Sequence, residues 1–247
     1  YHGAPTSVAA FVGTAPKIAA VMFAFRILLT GFGEVHQYWA PMFAVLAVAS
    51  LVVGNLAAIM QTNIKRMLAY STVSHMGFIL LAFMAGSIGS TAGLYYAITY
   101  ALMAAAGFGI LMVLSNDNIE CEEIKDLAGL NQRHAWFALL MLLVMFSMAG
   151  IPPLMGFYAK FGVIMVLLKF HYVWLSVFAV VMSLIGAFYY LRVVKVMYFD
   201  EPTHDQPIGS NYAAKFFLSV NAFLLVLWGV MPQTMIDWCA KALENTL

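Results

Sequence analysis

Charged residues and cysteines are scarce in this chain, and their scarcity excludes several classes of protein. Only 9% of the 247 residues are charged, whereas about a quarter are charged in an ordinary soluble domain. The net charge of +1 provides no excess of basic residues to neutralise phosphates, which excludes nucleic acid as a partner. The two cysteines are too few for a disulfide framework and do not make a metal site.

Motifs for cofactor or hydrolytic chemistry are also missing. The sequence contains no glycine-rich phosphate loop, no nucleophile elbow and no His or Cys cluster with the spacing of metal ligands. We therefore expect this chain to hold no cofactor or metal and to carry out no redox or hydrolytic step of its own.

Apolar residues make up 64% of the sequence, which indicates an integral membrane protein. A helix needs about 20 apolar residues to cross a hydrocarbon core of roughly 30 Å. Seven segments are long enough, and we expect an all-α, polytopic bundle of about seven transmembrane helices that forms a single membrane domain over residues 1–247. The predicted segments are Ser7–Leu29, Pro41–Gln61, Met67–Gly86, Thr91–Leu114, Ala135–Leu168, Tyr172–Met197 and Tyr212–Met231.

The fifth segment is too long for one straight crossing and contains the pair Pro152-Pro153. Two adjacent prolines remove two backbone donors and clash with the preceding turn. We therefore predict two half-helices joined by a break. The first apolar run lacks the features of a signal peptide, and because the chain starts at Tyr1 we expect it to be a piece of a longer protein.

The orientation follows from the lysines and arginines in the connections. Seven of them fall on one side of the predicted topology and three on the other, which favours the richer side as cytoplasmic. The start of the chain is then cytoplasmic, and its C-terminal tail lies on the opposite side of the membrane. Cys121 is then in a cytoplasmic loop and Cys239 is on the opposite side, so the two cannot form a disulfide with each other. The seven are Lys65, Arg66, Lys125, Arg133, Arg192, Lys195 and Lys215; the three are Arg26, Lys169 and Lys241.

Few ionisable residues remain inside the predicted helices. Lys17 is central in the first, His75 lies half-way along the third, Lys160 follows the double proline, and Lys65 stands at a helix mouth. A lysine at the bilayer centre costs about 2.5 to 3.5 kcal/mol on insertion scales. Burial disfavours the charged form of an amine, so a buried lysine can hold and release a proton near neutral pH. A broken helix beside it frees carbonyls that need a polar partner. We therefore interpret Pro16-Lys17 and Pro152-Pro153 with Lys160 as two versions of one arrangement, a hydrated gap in a helix with a titratable amine beside it.

Structural interpretations of these residues remain open at this stage. Pro16 can simply kink a helix, and Lys17 and Lys160 can each pair with an unseen carboxylate. The neighbouring hydroxyls of Ser71, Thr72 and Ser74 can satisfy an inert His75. A second group is more consistent with membrane anchoring, namely Lys65, Arg66, Arg192, Lys195 and the aromatics of AFYYLRVVKVMYF.

The longest polar insertion, Ser115–Ala135, carries five carboxylates, Asp117, Glu120, Glu122, Glu123 and Asp126. A solvated connection on the cytoplasmic surface is the favoured interpretation. Docking onto another subunit is the functional alternative.

Several stretches resemble the C-terminal half of the subunit N family of bacterial NADH-quinone oxidoreductase, or respiratory complex I. They are YHGAPTSVAAFVGTAPKIAAV, QTNIKRMLAYSTVSHMGF, DLAGLN, FSMAGIPPLMGFYAKF and SLIGAFYYLRVVKVMYFDEP. The resemblance covers nearly the whole chain, and its last two motifs are the most specific. Members of this antiporter-like family have fourteen helices, so the seven here resemble the last seven.

The resemblance implies a role for four residues. Lys17 matches a lysine of the hydrophilic axis that crosses the subunit at mid-membrane. Lys160 matches the lysine of a discontinuous helix assigned to the outlet half-channel. Lys65 and His75 match a lysine and a histidine of the same family motif. Together they imply a proton relay of buried lysines and a histidine.

The resemblance also implies a setting. The family's first half supplies a glutamate and a lysine that are absent here, so this chain alone should not pump. NADH, FMN, iron-sulfur clusters and quinone are expected in other subunits of the respiratory complex, and the partners are other membrane-arm subunits, antiporter-like homologues, the N-terminal half and the lipid of the bacterial inner membrane. Two alternatives stay open, namely a subunit of a sodium/proton antiporter and an inert membrane scaffold.

Overall fold

The computed structural model describes residues 4–115, 121–202 and 212–244. These residues form helices and no β-strand, apart from one isolated antiparallel bridge between Asn63 and Glu123. The α-helices in chain order are α1 (Thr6–Gly13), α2 (Ala15–Arg26), α3 (His36–Ile59), α4 (Ile64–Phe83), α5 (Gly86–Leu114), α6 (Leu130–Arg133), α7 (Ala135–Ala149), α8 (Met155–Lys169), α9 (Val173–Phe199), α10 (Tyr212–Val230) and α11 (Pro232–Glu244).

The predicted all-helical, polytopic bundle is confirmed, although the structure does not fix the number of membrane-crossing helices at seven. Five helical stretches are long and apolar enough to cross a membrane, and α7 is a shorter apolar helix. Two predicted segments are not among these five stretches. The fifth segment is interrupted and forms the two shorter helices α7 and α8, and the third forms α4, which carries Lys65, Arg66 and His75. The five stretches are Thr6–Gly31, Gly33–Ile59, Gly86–Leu114, Val173–Phe199 and Tyr212–Val230.

Helices α4 and α5 form the centre of the bundle. Helix α4 packs along α3 and also contacts α5 and α8, while α5 contacts α1, α2, α7, α8, α10 and α11. Helices α3 and α4 approach closely at Gly54, where an added Cβ would lie 2.5 Å from the backbone nitrogen of Ser74. Polar side chains on α4 are therefore enclosed by protein rather than exposed to lipid.

Two of the connections and the later part of α9 meet at one end of the bundle. The amide of Ile64 donates to the carbonyl of Glu122 at 2.7 Å, which ties the α3–α4 turn to the insertion after α5. The guanidinium of Arg192, near the end of α9, donates to the carbonyls of Ile59 at 2.9 Å and Gln61 at 2.6 Å. Arg192 therefore occupies the negative end of the α3 dipole, where a cation is favourable.

The insertion Ser115–Ala135 is packed against the protein over its described part; residues 116–120, which include Asp117 and Glu120, lie outside the described residues. Cys121, Ile124 and Leu127 are buried. Burial raises the pKa of the Cys121 thiol to about 12, with a smaller contribution from Asp126. The connection that was predicted to be solvated is therefore packed against the bundle through these buried side chains.

Helix α11 was not among the predicted segments. It buries Met235, Cys239 and Leu243, which are spaced by four residues, while Trp238 is exposed on the other face. A helix with one apolar stripe escapes a search for long apolar runs. Burial raises the pKa of the Cys239 thiol to about 11, and both Cys121 and Cys239 are free.

Candidate functional site

The break predicted at Pro152-Pro153 is present. Helix α7 ends at Ala149, and Gly150 adopts the left-handed conformation with φ 88°. Helix α8 begins at Met155. Since the two prolines cannot donate backbone hydrogen bonds, carbonyls in the last turn of α7 lose their helical partners.

Lys160 supplies the missing donors. Its Nζ lies 2.9 Å from the carbonyl oxygen of Met148, 3.0 Å from that of Ala149 and 2.9 Å from the hydroxyl of Ser183 on α9. An ammonium has three N–H donors, and these three acceptors match them. The residue is buried, and the negative end of the α7 dipole faces its charge.

Lys17 also stands beside a helix break, as the interpretation of Pro16-Lys17 as an interrupted helix expects, although the break lies two residues before Pro16. The expected single helix Ser7–Leu29 is divided at Thr14, whose hydroxyl donates to the carbonyl of Ala10 at 2.9 Å. Pro16 occupies the first turn of α2, where its missing N–H costs nothing. Lys17 follows it and turns inward, with Nζ 3.5 Å from the hydroxyl of Tyr100 and 4.9 Å from the centre of its ring.

His75 is held by two tyrosines rather than by its neighbouring hydroxyls. Its Nδ1 lies 2.8 Å from the hydroxyl of Tyr96 on α5, and its Nε2 lies 3.0 Å from that of Tyr190 on α9. The suggested serine and threonine partners were wrong, because the hydroxyls of Ser71 and Thr72 donate to the carbonyl of Leu68. The imidazole is 3% exposed, so both of its nitrogens depend on these tyrosines.

Tyr100 connects the surroundings of Lys17 with those of His75. Its hydroxyl is hydrogen-bonded to that of Thr72 on α4, and its ring centre lies 5.0 Å from the imidazole centre. Lys17, Tyr100 and Thr72 therefore form one hydrogen-bonded line from α2 to α4, and the ring of Tyr100 packs beside His75. The imidazole nitrogens bond to Tyr96 and Tyr190 instead.

An aromatic ring separates His75 from Lys160. The Nζ of Lys160 lies 5.6 Å from the ring centre of Phe78, and that ring stacks on Tyr96 with centres 5.5 Å apart. Ser183 and Tyr190, which contact the lysine and the histidine respectively, are two helical turns apart on α9. Helix α9 therefore supplies one hydroxyl that contacts Lys160 and another that contacts His75.

Lys65 lies apart from that line. Its Nζ is 3.1 Å from a carboxylate oxygen of Glu122, although the lysine is only 1% exposed. This ion pair joins the start of α4 to the insertion after α5 at the end of the bundle. Among the described residues, neither Lys17 nor Lys160 has a carboxylate partner.

The sequence analysis missed the tyrosines. Tyr189 and Tyr190 were assigned to an interfacial belt, but each is 1% exposed, and the hydroxyl of Tyr189 donates to the side chain of Asn55 at 3.1 Å. The belt assignment holds better for Phe188 and Phe199, which are exposed. The spacing of four between Tyr96 and Tyr100 is the signal that places both on one face of α5.

The described residues contain no group of three or more His, Cys, Asp or Glu side chains able to hold a metal ion. What they do bring together is a set of amines, an imidazole and hydroxyls, all of which can exchange protons. This arrangement can pass protons without any change of oxidation state.

Residues 1–186 match the model of the family described as NADH:quinone oxidoreductase/Mrp antiporter, TM. The chain belongs to this family. The chain is also similar to a protein of Neisseria gonorrhoeae named NADH-quinone oxidoreductase subunit N, at 81% identity over 248 residues, covering 100% of this chain and 52% of that protein. The chain thus spans about half the length of the curated relatives it matches.

Two solved structures share the fold of this chain. A chain of respiratory complex I from Thermus thermophilus with bound aureothin superposes with a TM-score of 0.73 at 29% identity, covering 80% of this chain and 45% of that one. A chain of the Mrp complex from Dietzia sp. DQ12-45-1b gives a TM-score of 0.83 at 21% identity, covering 96% and 52%. At that identity the Mrp likeness shows a shared fold alone.

Proposed function

We propose that this chain is the C-terminal half of a membrane-arm subunit of NADH-quinone oxidoreductase and takes part in proton translocation. The observation that carries the proposal is Lys160, a buried amine beside an interrupted helix whose three donors are matched by two freed carbonyls and a hydroxyl. Such a residue is costly inside a membrane. Proton exchange gives a reason for the cost.

In this proposal Lys17, His75 and Lys160 are relay residues along the middle of the bundle. Lys17 reaches the hydroxyl of Tyr100, and the ring of Tyr100 packs on His75. Because packed rings share no hydrogen bond, passage of a proton from Tyr100 to His75 requires water or a side-chain movement. Lys65 is assigned to the same relay through the family motif, at the end of the bundle where it pairs with Glu122. Passage from His75 to Lys160 requires water or a side-chain movement around Phe78.

The energy of a relay step is compatible with this role. Moving one proton against 100 mV takes about 2.3 kcal/mol. A change of two units in the pKa of a relay amine is worth about 2.7 kcal/mol. Modest changes at one or two residues, driven from elsewhere in the complex, are therefore sufficient for each proton moved.

The proposal places the redox chemistry in other subunits. NADH, FMN, iron-sulfur clusters and quinone belong to those subunits, and the partners of this chain are the remaining half of its own subunit, antiporter-like homologues in the membrane arm, and lipid. The location is the bacterial inner membrane, with the start of the chain cytoplasmic and its C-terminal tail periplasmic. The excess of lysine and arginine at one set of connections supports this orientation.

The test is Lys160→Ala in the full-length subunit within the assembled complex. We expect proton translocation per NADH oxidised to fall at least severalfold while the complex assembles normally. Lys169→Ala is the matched control, because Lys169 ends the same helix and is exposed. Unchanged translocation in an assembled Lys160→Ala complex would show that this half is a scaffold.

A sodium/proton antiporter subunit is the second candidate, favoured by the family description, which covers Mrp antiporters as well as NADH:quinone oxidoreductase. The two functions differ in what copurifies with the full-length subunit. Flavin and iron-sulfur subunits in the purified complex support the oxidoreductase. Sodium-dependent proton exchange by a complex without them supports the antiporter.

A further inference from the structure

The two tyrosine hydroxyls on His75 form a bracket that leaves the imidazole free to gain or lose a proton at either nitrogen. Tyr96 approaches Nδ1 from α5, and Tyr190 approaches Nε2 from α9. All three side chains are buried, with exposed fractions of 3% or less. Three helices therefore fix the geometry of one titratable ring.

The chemical nature of the partners matters more than their number. A neutral imidazole has one donor and one acceptor nitrogen, and an imidazolium has two donors. A carbonyl can only accept, so a carbonyl partner would fix which nitrogen carries the proton. A tyrosine hydroxyl can donate or accept. The bracket thus satisfies both neutral tautomers and the imidazolium by rotation of hydroxyl hydrogens alone.

We propose that Tyr96 and Tyr190 are positioning residues that make His75 a two-sided proton carrier, an inference that rests on the proposed function. A proton arriving at one tyrosine oxygen forms a new O–H bond as that hydroxyl's original proton moves to the adjacent nitrogen. The imidazolium then gives its other N–H proton to the second tyrosine oxygen, whose own proton passes onward. One proton enters, one leaves, and every broken bond is replaced.

The passage inverts the tautomer, so the ring must be reset before the next proton. A turn of the imidazole ring that exchanges the places of its two nitrogens, together with rotation of both hydroxyls, restores the starting state. The three helices hold the two tyrosine oxygens in place while the ring turns.

The chain offers a matched control in Tyr95, the neighbour of Tyr96 on α5. Its ring is equally buried, but its hydroxyl has no hydrogen-bond partner among the described residues. Tyr95→Phe and Tyr96→Phe therefore remove the same atom from the same depth of the same helix. Only the second removal touches His75.

The experiment compares Tyr95→Phe, Tyr96→Phe and Tyr190→Phe in the full-length subunit of the assembled complex, each with native His75 and with His75→Asn. We expect Tyr96→Phe and Tyr190→Phe to lower proton translocation per NADH by about three- to tenfold, the range that loss of one hydrogen bond supports. Tyr95→Phe should leave it unchanged. In the His75→Asn background, neither bracket variant should lower it further.

The outcomes separate this inference from the proposed function. Translocation by Tyr96→Phe and Tyr190→Phe equal to that of Tyr95→Phe, with His75→Asn impaired, would overturn the bracket and leave the relay intact. Additive losses in the His75→Asn background would also overturn it, because the tyrosines would then act through structure alone. Full translocation by both His75→Asn and Lys160→Ala would instead refute the proposed function.

Discussion

The Nζ of Lys160 lies 2.9 Å from the carbonyl oxygen of Met148, across the interruption between α7 and α8. The lysine therefore closes the helix break that shelters it, because the freed carbonyls receive the donors that the two prolines cannot supply. The same amine also donates to the hydroxyl of Ser183 on α9 at 2.9 Å, which fixes its position. The structure of the break and the position of Lys160 are thus coupled.

Gly150→Ala should disturb this coupling. Gly150 has φ 88°, a conformation that L side chains rarely adopt, and an added Cβ would lie 3.0 Å from the Cδ of Lys160. We expect about 1 kcal/mol of destabilisation or more, seen as a lower midpoint of thermal inactivation, together with reduced proton translocation. Gly162→Ala, on α8 with its nearest neighbour 3.9 Å away, is the control: it should leave translocation unchanged and should not lower the midpoint, because alanine favours the helix.

Asn55→Ala should loosen the contact between α3 and α9. The Asn55 amide donates to the carbonyl of Met182 at 3.0 Å and accepts from Tyr189 at 3.1 Å. Loss of both bonds leaves buried groups unsatisfied at a cost of about 1 to 3 kcal/mol. Thermal inactivation of the assembled complex should occur at a lower temperature than in the exposed control Gln132→Ala. Equal midpoints would show that this contact adds no stability.

Cys121 should react slowly with maleimides at pH 8, because a pKa of about 12 leaves almost no thiolate. The folded pKa exceeds the ordinary value near 9, so reactivity should rise only as the pH increases toward 12. Lys65→Gln should speed the reaction at pH 8 by releasing Glu122 and the insertion, as measured by mass spectrometry of the labelled complex. Cys239, on α11, is the internal control, and an equal acceleration there would indicate general unfolding.

A reporter fused after Glu244 should lie in the periplasm. The seven lysines and arginines assigned to the other set of connections should keep that set in the cytoplasm. We expect alkaline phosphatase fused at this position to be active, and the same enzyme fused after Asp200 to be inactive. The reverse pattern would contradict the proposed orientation.

The sequence was sufficient to predict the helical segments because about twenty apolar residues in a row leave few other structures. Pro152-Pro153 located the break in the same direct way. At Pro16-Lys17 the sequence indicated an interruption but left a simple kink open, since one proline near a helix start is compatible with an unbroken helix. Helix α11 was missed because it is apolar on only one face.

The partners of the relay residues could not be predicted from the sequence. Hydropathy does not show which face of an apolar helix points inward. Tyr190 was therefore predicted to lie at the membrane surface, whereas in the structure it contacts His75. The hydroxyls near His75 in sequence were bonded instead to their own helix. Pairing across α4, α5 and α9 depends on packing among helices far apart in the chain.

The most direct test of the central claim is Lys160→Arg in the assembled complex, measured as protons translocated per NADH oxidised. Arginine keeps the positive charge and the donors but does not release a proton in proteins. The account predicts at least a tenfold loss of translocation with assembly intact and with Lys169→Arg unaffected. Normal translocation by the Lys160→Arg complex would show that Lys160 acts as a fixed charge, and would contradict its role in passing protons.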